Sequence, residues 1–212
     1  MLNTPTISLK ENIMDTNINK FELFPVPVFQ CNFEDAENLK NTLVPIFLDI
    51  EKNDKTPTPY CETGYTSFGK YNVLTEMPEC KSLLKFIAGV VDNIHKEVGL
   101  GIDLGMRDSW FSINRKYARH GDHIHLPSTW SGVYYVQAEE KDASLTFVNK
   151  NFESNWPYTF SIAKTPYNAR ENAIMPRTGD LWVFPSYLIH RVEEQISNSE
   201  RITIAFNCST IM

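Results

Sequence analysis

Two hydrophobic periods divide this chain. Before about Gly105 apolar residues recur at steps of three and four, and after it they alternate with polar ones. The clearest helix is "PECKSLLKFIAGVVDNIHKEVGL", where Leu83, Phe86, Ile87, Val90, Val91, Ile94 and Val98 form one stripe, with Pro78 suited to start it and Gly99 to end it. His95 lies off the stripe and reads as a solvated surface residue. Upstream, "AENLKNTLVPIFLDIEK" reads as a helix capped by Asp35, which Pro45 should kink or split. "FELFPVPVFQCNF", with prolines at 25 and 27, suits an edge strand, and residues 1–20 are polar and expected to be flexible. The second half reads as strands: "SWFSINR", "TWSGVYYVQ", "SLTFVNK", "DLWVFPS" and "RITIAFN". Helices in front and short antiparallel strands behind predict a mostly β fold, a jelly roll or double-stranded β-helix with helices packed on one sheet. One domain over residues 21–212 is expected, with helical support over about 35–100 and the β core over about 105–210.

Composition narrows the function classes. The 212 residues carry a formal charge of −6 and no basic run that could track phosphates, so nucleic acid and anionic membrane are poor partners. Cys31, Cys61, Cys80 and Cys208 are far apart and form no C-x-x-C pair, and they read as reduced thiols. No apolar run approaches the roughly 20 residues of a bilayer span, and the first twenty residues have no apolar core of a secretion signal. A soluble cytoplasmic protein is the expectation.

The candidate chemistry lies in "HGDHIHLP", which holds three of the five histidines within residues 120–125. Strand alternation puts His123 and His125 on one face, where their imidazoles could share an ion, and turns His120 and Asp122 the other way. His120 and Asp122 form a rival pair, one imidazole and one carboxylate, and parity alone does not choose between the two. Downstream, in "GDLWVFPSYLIHRV", His190 follows a buried strand and can supply a third ligand. In "RITIAFN" the residues Arg201, Thr203, Ala205 and Asn207 share one face. An arginine among small polar residues suits a carboxylate, which it can grip through two parallel hydrogen bonds. The plainer reading of Arg201 is a surface ion pair with Glu193, Glu194 or Glu200.

"HIHLPSTWSGVYYV", "GDLWVFPSYLIHRV" and "RITIAFN" together resemble a family of iron(II)/2-oxoglutarate-dependent oxygenases common in phage and marine bacterial genomes, related to prolyl-hydroxylase-like enzymes. "LFPVPVF" and "SWFSINRK" extend the resemblance over roughly residues 20–210. It implies iron(II) held by His123, His125 and His190, and 2-oxoglutarate as cosubstrate bound by Arg201 with Tyr135 and Thr203. Asn114 is a candidate for the cosubstrate's other end. Most relatives carry Asp or Glu where this chain has His125, so either three imidazoles form the metal face or a carboxylate such as Asp122 joins it.

The implied reaction consumes 2-oxoglutarate and O2, releases succinate and CO2, and hydroxylates an unactivated C–H of an amino acid, peptide or small metabolite. Two other classes compete: a cupin-like metal-dependent dioxygenase or isomerase without 2-oxoglutarate, and a non-catalytic jelly roll holding structural zinc. Arg201 speaks against the cupin, and the lack of a fourth good ligand against structural zinc. Substrate contacts are expected on loops near 57–71 and 149–178, where Arg170 and Arg177 could meet an acidic group. Trp110, Trp130 and Trp182 read as packing, and the aromatic content makes a homodimer a reasonable assembly.

Overall fold

The computed structural model describes residues 25–56, 63–150, 165 and 168–211. Residues 1–20, Cys61 and parts of both expected substrate loops lie outside them. Helix α1 spans Ala36–Asn53, α2 Val73–Glu76 and α3 Lys81–Glu97, with a short 3-10 turn over Pro78–Cys80 ahead of α3. Pro45 lies inside α1 without splitting it. Proline deletes one backbone hydrogen bond, and here the buried stripe Leu39, Leu43 and Phe47 continues on both sides of it. Asp35 stands at the N-cap position, but its carboxylate accepts from the Asn38 side chain at 2.5 Å and from no backbone N–H. Gly99 ends the last helix as expected, at φ 74°, a region that favours glycine.

Among the described residues ten strands follow the alternation. They are β1 Phe29–Asn32, β2 Gly64–Thr66, β3 Leu104–Asn114, β4 His120–His123, β5 Trp130–Gln137, β6 Leu145–Val148, β7 Glu171–Ile174, β8 Asp180–Pro185, β9 His190–Val192 and β10 Arg201–Thr210. All their pairings are antiparallel. One sheet has the order β1-β8-β5-β10-β3-β2 and the other β4-β9-β6-β7. This is the expected helix-backed pair of sheets. Among the described residues no helix is long and apolar enough to cross a membrane.

The larger sheet divides its residues by parity. Phe111, Ile113, Tyr134, Val136, Leu181, Val183, Ile202, Ile204 and Phe206 pack with α1 and α3 into the main core. Phe47 stacks on Phe111 with ring centres 4.0 Å apart and planes 3° apart. The intervening residues Asn114, Ser112, Tyr135, Arg201, Thr203 and Ala205 line a cleft between the sheets. Glycine at 132 is a packing requirement, because a Cβ there would stand 2.3 Å from the Phe206 ring and 2.8 Å from the Trp182 carbonyl oxygen.

His95 corrects the expectation of a surface residue. It is only 7% exposed. Its Nε2–H donates to the Ile102 carbonyl at 2.7 Å and its Nδ1 accepts from the Trp130 indole N–H at 3.3 Å. A donor-only and an acceptor-only partner fix the tautomer, so this imidazole seals the junction of α3 with the larger sheet.

Asp142 ties down the turn that leads into β10. One carboxylate oxygen accepts from Gln195, Ser197 and Ser199, and the other from the Glu139 N–H at 2.8 Å. Arg115 adds a second tie, with two bonds to Glu51 and one to Glu200. Both fix the start of the strand that carries Arg201.

Candidate metal centre

His123, His125 and His190 converge: one ring nitrogen from each lies within 4.8 Å of the others. The local route differs from simple alternation. β4 ends at His123, which pairs with His190 of β9. His125 lies beyond the strand, where its backbone N–H donates to the Ser186 carbonyl at 2.9 Å. His123 and His190 use the same device to aim their rings. Each Nδ1–H donates to the carbonyl two residues earlier, Gly121 at 2.7 Å and Leu188 at 2.8 Å, which leaves Nε2 as the free donor atom.

The electrostatics suit metal binding. Burial, and then His123, hold the His125 pKa down at about 4, and burial, His123 and His125 hold that of His190 at about 3. Neutral imidazole is the form that coordinates a metal. Asp122, the alternative carboxylate, is not in the cluster. It is exposed and lies 3.6 Å from Arg191, on the outer side of the sheet.

His120 departs from the expectation that it faces away from His123. A register shift between these two residues in the β4–β9 pairing turns both into the cleft, as an irregular strand can. Gly121 was the available signal, since an isolated glycine in a strand often marks such an irregularity. Burial, then Arg201 and His123, keep the His120 pKa at about 4. Trp110, expected to be packing, also lines the cleft, its ring 5.9 Å from that of His125. Trp130 is buried in the core, as expected.

At the other end of the cleft stands Arg201, 2% exposed. Two of its expected rival partners are engaged elsewhere, Glu200 with Arg115 and Glu193 with Arg191, and the third, Glu194, is exposed. Its Nε has no hydrogen-bond partner, its guanidinium lies 5.9 Å from the Tyr135 ring centre, and Thr203 follows on the same face. Burial pushes the Arg201 pKa down, opposed by Tyr135 and Asp142. Among the described residues, the cleft lining contains no Asp or Glu. A buried cation without a carboxylate is costly, and an anionic ligand would relieve that cost.

Residues 108–207 match the family model described as "Putative 2OG-Fe(II) oxygenase". That stretch is a 2OG-Fe(II) oxygenase domain. The family name carries its metal and cosubstrate, iron(II) and 2-oxoglutarate. No curated protein matches the sequence. Solved structures share the oxygenase domain's fold. A Pseudomonas putida prolyl-4-hydroxylase aligns at 15% identity with TM-score 0.62, covering 88% of this chain and 94% of that one. HygX from Streptomyces hygroscopicus, crystallised with nickel, 2-oxoglutarate and hygromycin B, aligns at 12% identity with TM-score 0.61, covering 88% and 84%. The viral collagen prolyl hydroxylase of Paramecium bursaria Chlorella virus-1, solved with 2-oxoglutarate, aligns at 12% with TM-score 0.54, covering 87% and 96%.

The residues present fit both groups. Imidazole nitrogens about 2.1 Å from one ion and at right angles to each other are about 3 Å apart, which agrees with the 3.2 Å between Nε2 of His125 and Nε2 of His190. Arg201, whose Nε has no hydrogen-bond partner, suits one carboxylate of the cosubstrate. Trp110 and Asn114 lie opposite Ala205 and Arg201 in the β3–β10 register, so the metal end and the arginine end are four residues apart, about 13 Å along the strands.

Proposed function

We propose that this oxygenase domain hydroxylates a C–H bond, with His123, His125 and His190 holding iron(II) and Arg201, Tyr135 and Thr203 holding the distal carboxylate of 2-oxoglutarate. When bound, iron(II) with 2-oxoglutarate and O2 supplies oxidative decarboxylation to succinate and CO2 and the oxidising power for the hydroxylation. The chain's own residues position and shield. The backbone carbonyls of Gly121 and Leu188 orient two ligand rings, and Arg201 with Tyr135 anchors the cosubstrate so that its 2-oxo acid end extends toward the histidines. Val133, Leu145, Phe184 and Val192 make the cleft walls apolar and limit water at the reacting end.

The observation that carries this reading is the pairing, in one cleft with no carboxylate among the described residues that line it, of a three-imidazole cluster with a buried arginine whose Nε has no hydrogen-bond partner. A cupin-like reaction without 2-oxoglutarate has no use for that arginine. A three-histidine face replaces the more usual two histidines and a carboxylate. The substrate class is an amino acid, peptide or small metabolite, and a prolyl peptide is the first to try because two structural neighbours are prolyl hydroxylases. A single cytoplasmic domain over residues 21–212, acting on neither nucleic acid nor membrane, belongs to the same reading, with a homodimer as the assembly to test.

The decisive experiment adds iron(II) and then 2-oxoglutarate to the protein without oxygen and records the weak visible metal-to-ligand charge-transfer band. A band that needs both additions, weakens in Arg201→Ala and vanishes in His190→Ala supports the assignment. Metal binding without a band would remove 2-oxoglutarate from it.

A further inference from the structure

The cleft holds a fourth histidine that the metal cluster does not use. His120 Nε2 lies 3.3 Å from the Asn114 amide nitrogen, and both residues line the cleft with Arg201. Asn114 is 1% exposed and directly opposite Arg201 in the β3–β10 register, where Cβ atoms stand about 5 Å apart. Asn114 Oδ1 and Arg201 Nε are both buried without a hydrogen-bond partner. Two orphaned polar atoms on neighbouring side chains of one cleft mark a place where a ligand completes the bonding.

The amide has two nearly isosteric orientations. In one, its NH2 donates to His120 Nε2 and its oxygen is the orphan. Turned over, its oxygen accepts the His120 Nε2–H and its NH2 is free to donate. A carboxylate gripped by Arg201 rewards only the second, because it accepts hydrogen bonds and repels an amide oxygen. We propose that Asn114 donates to the distal carboxylate beside Arg201, and that His120 is the positioning residue that holds the amide in the donating orientation. The pair thereby favours a 2-oxo diacid over a 2-oxo acid with no second carboxylate. This rests on the assignment of Arg201 to the cosubstrate given above.

The test is calorimetric titration of 2-oxoglutarate, and separately of pyruvate, into the nickel(II)-loaded protein, a readout independent of turnover. His120→Ala is expected to weaken 2-oxoglutarate about tenfold, the effect of one hydrogen bond to a charged group, and Asn114→Asp by more, while pyruvate and nickel affinities hold. His120→Gln, which can still donate, should recover most of the loss. The double variant His120→Ala/Asn114→Ala should bind no more weakly than Asn114→Ala alone, since the histidine acts through the amide. Unchanged 2-oxoglutarate binding in His120→Ala, or an equal loss for pyruvate, would overturn the pair. A wild-type protein that takes nickel but not 2-oxoglutarate would instead overturn the cosubstrate assignment, so the two failures are distinguishable.

Discussion

Nε2 of His125 and Nε2 of His190 face each other at 3.2 Å, although the residues are 65 positions apart and the first lies outside any strand. With Nδ1 of His190 committed to the Leu188 carbonyl, its Nε2 carries a lone pair. That lone pair is directed at the other ring, a contact that a shared divalent ion satisfies. Metal should therefore stabilise the fold by mass action. The melting temperature is expected to rise with iron(II) or nickel(II) in wild type and not in His190→Ala.

Asp122 is expected to be dispensable for metal. Its carboxylate is exposed and lies 3.6 Å from Arg191, away from the cluster. Asp122→Ala should keep the wild-type nickel dissociation constant within about twofold, as measured by calorimetry, because an exposed ion pair contributes little. A hundredfold loss would return the carboxylate to the metal face.

Arg201 should trade stability for binding. A guanidinium that is 2% exposed and has no acid partner among the described residues disfavours the ligand-free fold. Arg201→Met is expected to raise ligand-free stability by about 1–3 kcal/mol in denaturant titration while weakening 2-oxoglutarate binding. A less stable variant would show that the arginine is satisfied within the fold.

Asp142 governs an acid transition. Burial pushes its pKa up, but the hydrogen bonds from Ser199, the Glu139 backbone, Ser197 and Gln195 outweigh it and hold the carboxyl below its ordinary value. The unfolded chain then binds the proton first as pH falls. Its stabilisation is complete above about pH 4 and is lost as pH drops toward the folded value. Asp142→Asn should cost about 2–4 kcal/mol at pH 7 and flatten the melting-temperature profile below pH 4.

Gly132 should tolerate no side chain. Gly132→Ala places a methyl carbon 2.3 Å from the Phe206 ring and 2.8 Å from a backbone oxygen. A loss of about 1–3 kcal/mol is expected, read by thermal or chemical unfolding, with nickel affinity preserved in the folded fraction.

Periodicity by itself determined the elements and the division of their faces. The stripe of α3 and the two faces of "RITIAFN" hold in the structure, which turns Ile202, Ile204 and Phe206 to the core and Arg201, Thr203 and Ala205 to the cleft. These are local properties, set by 3.6 residues per helical turn and two per strand repeat. Tertiary structure decided the rest. Alternation predicts facing only while a ladder stays regular, and the shift between His120 and His123 breaks it, so a histidine expected outside lies inside. Burial and pairing depend on distant segments. The Trp130 indole and the Ile102 carbonyl make His95 an interior residue, and only the packing of the two sheets leaves Arg201 buried with no acid beside it among the described residues.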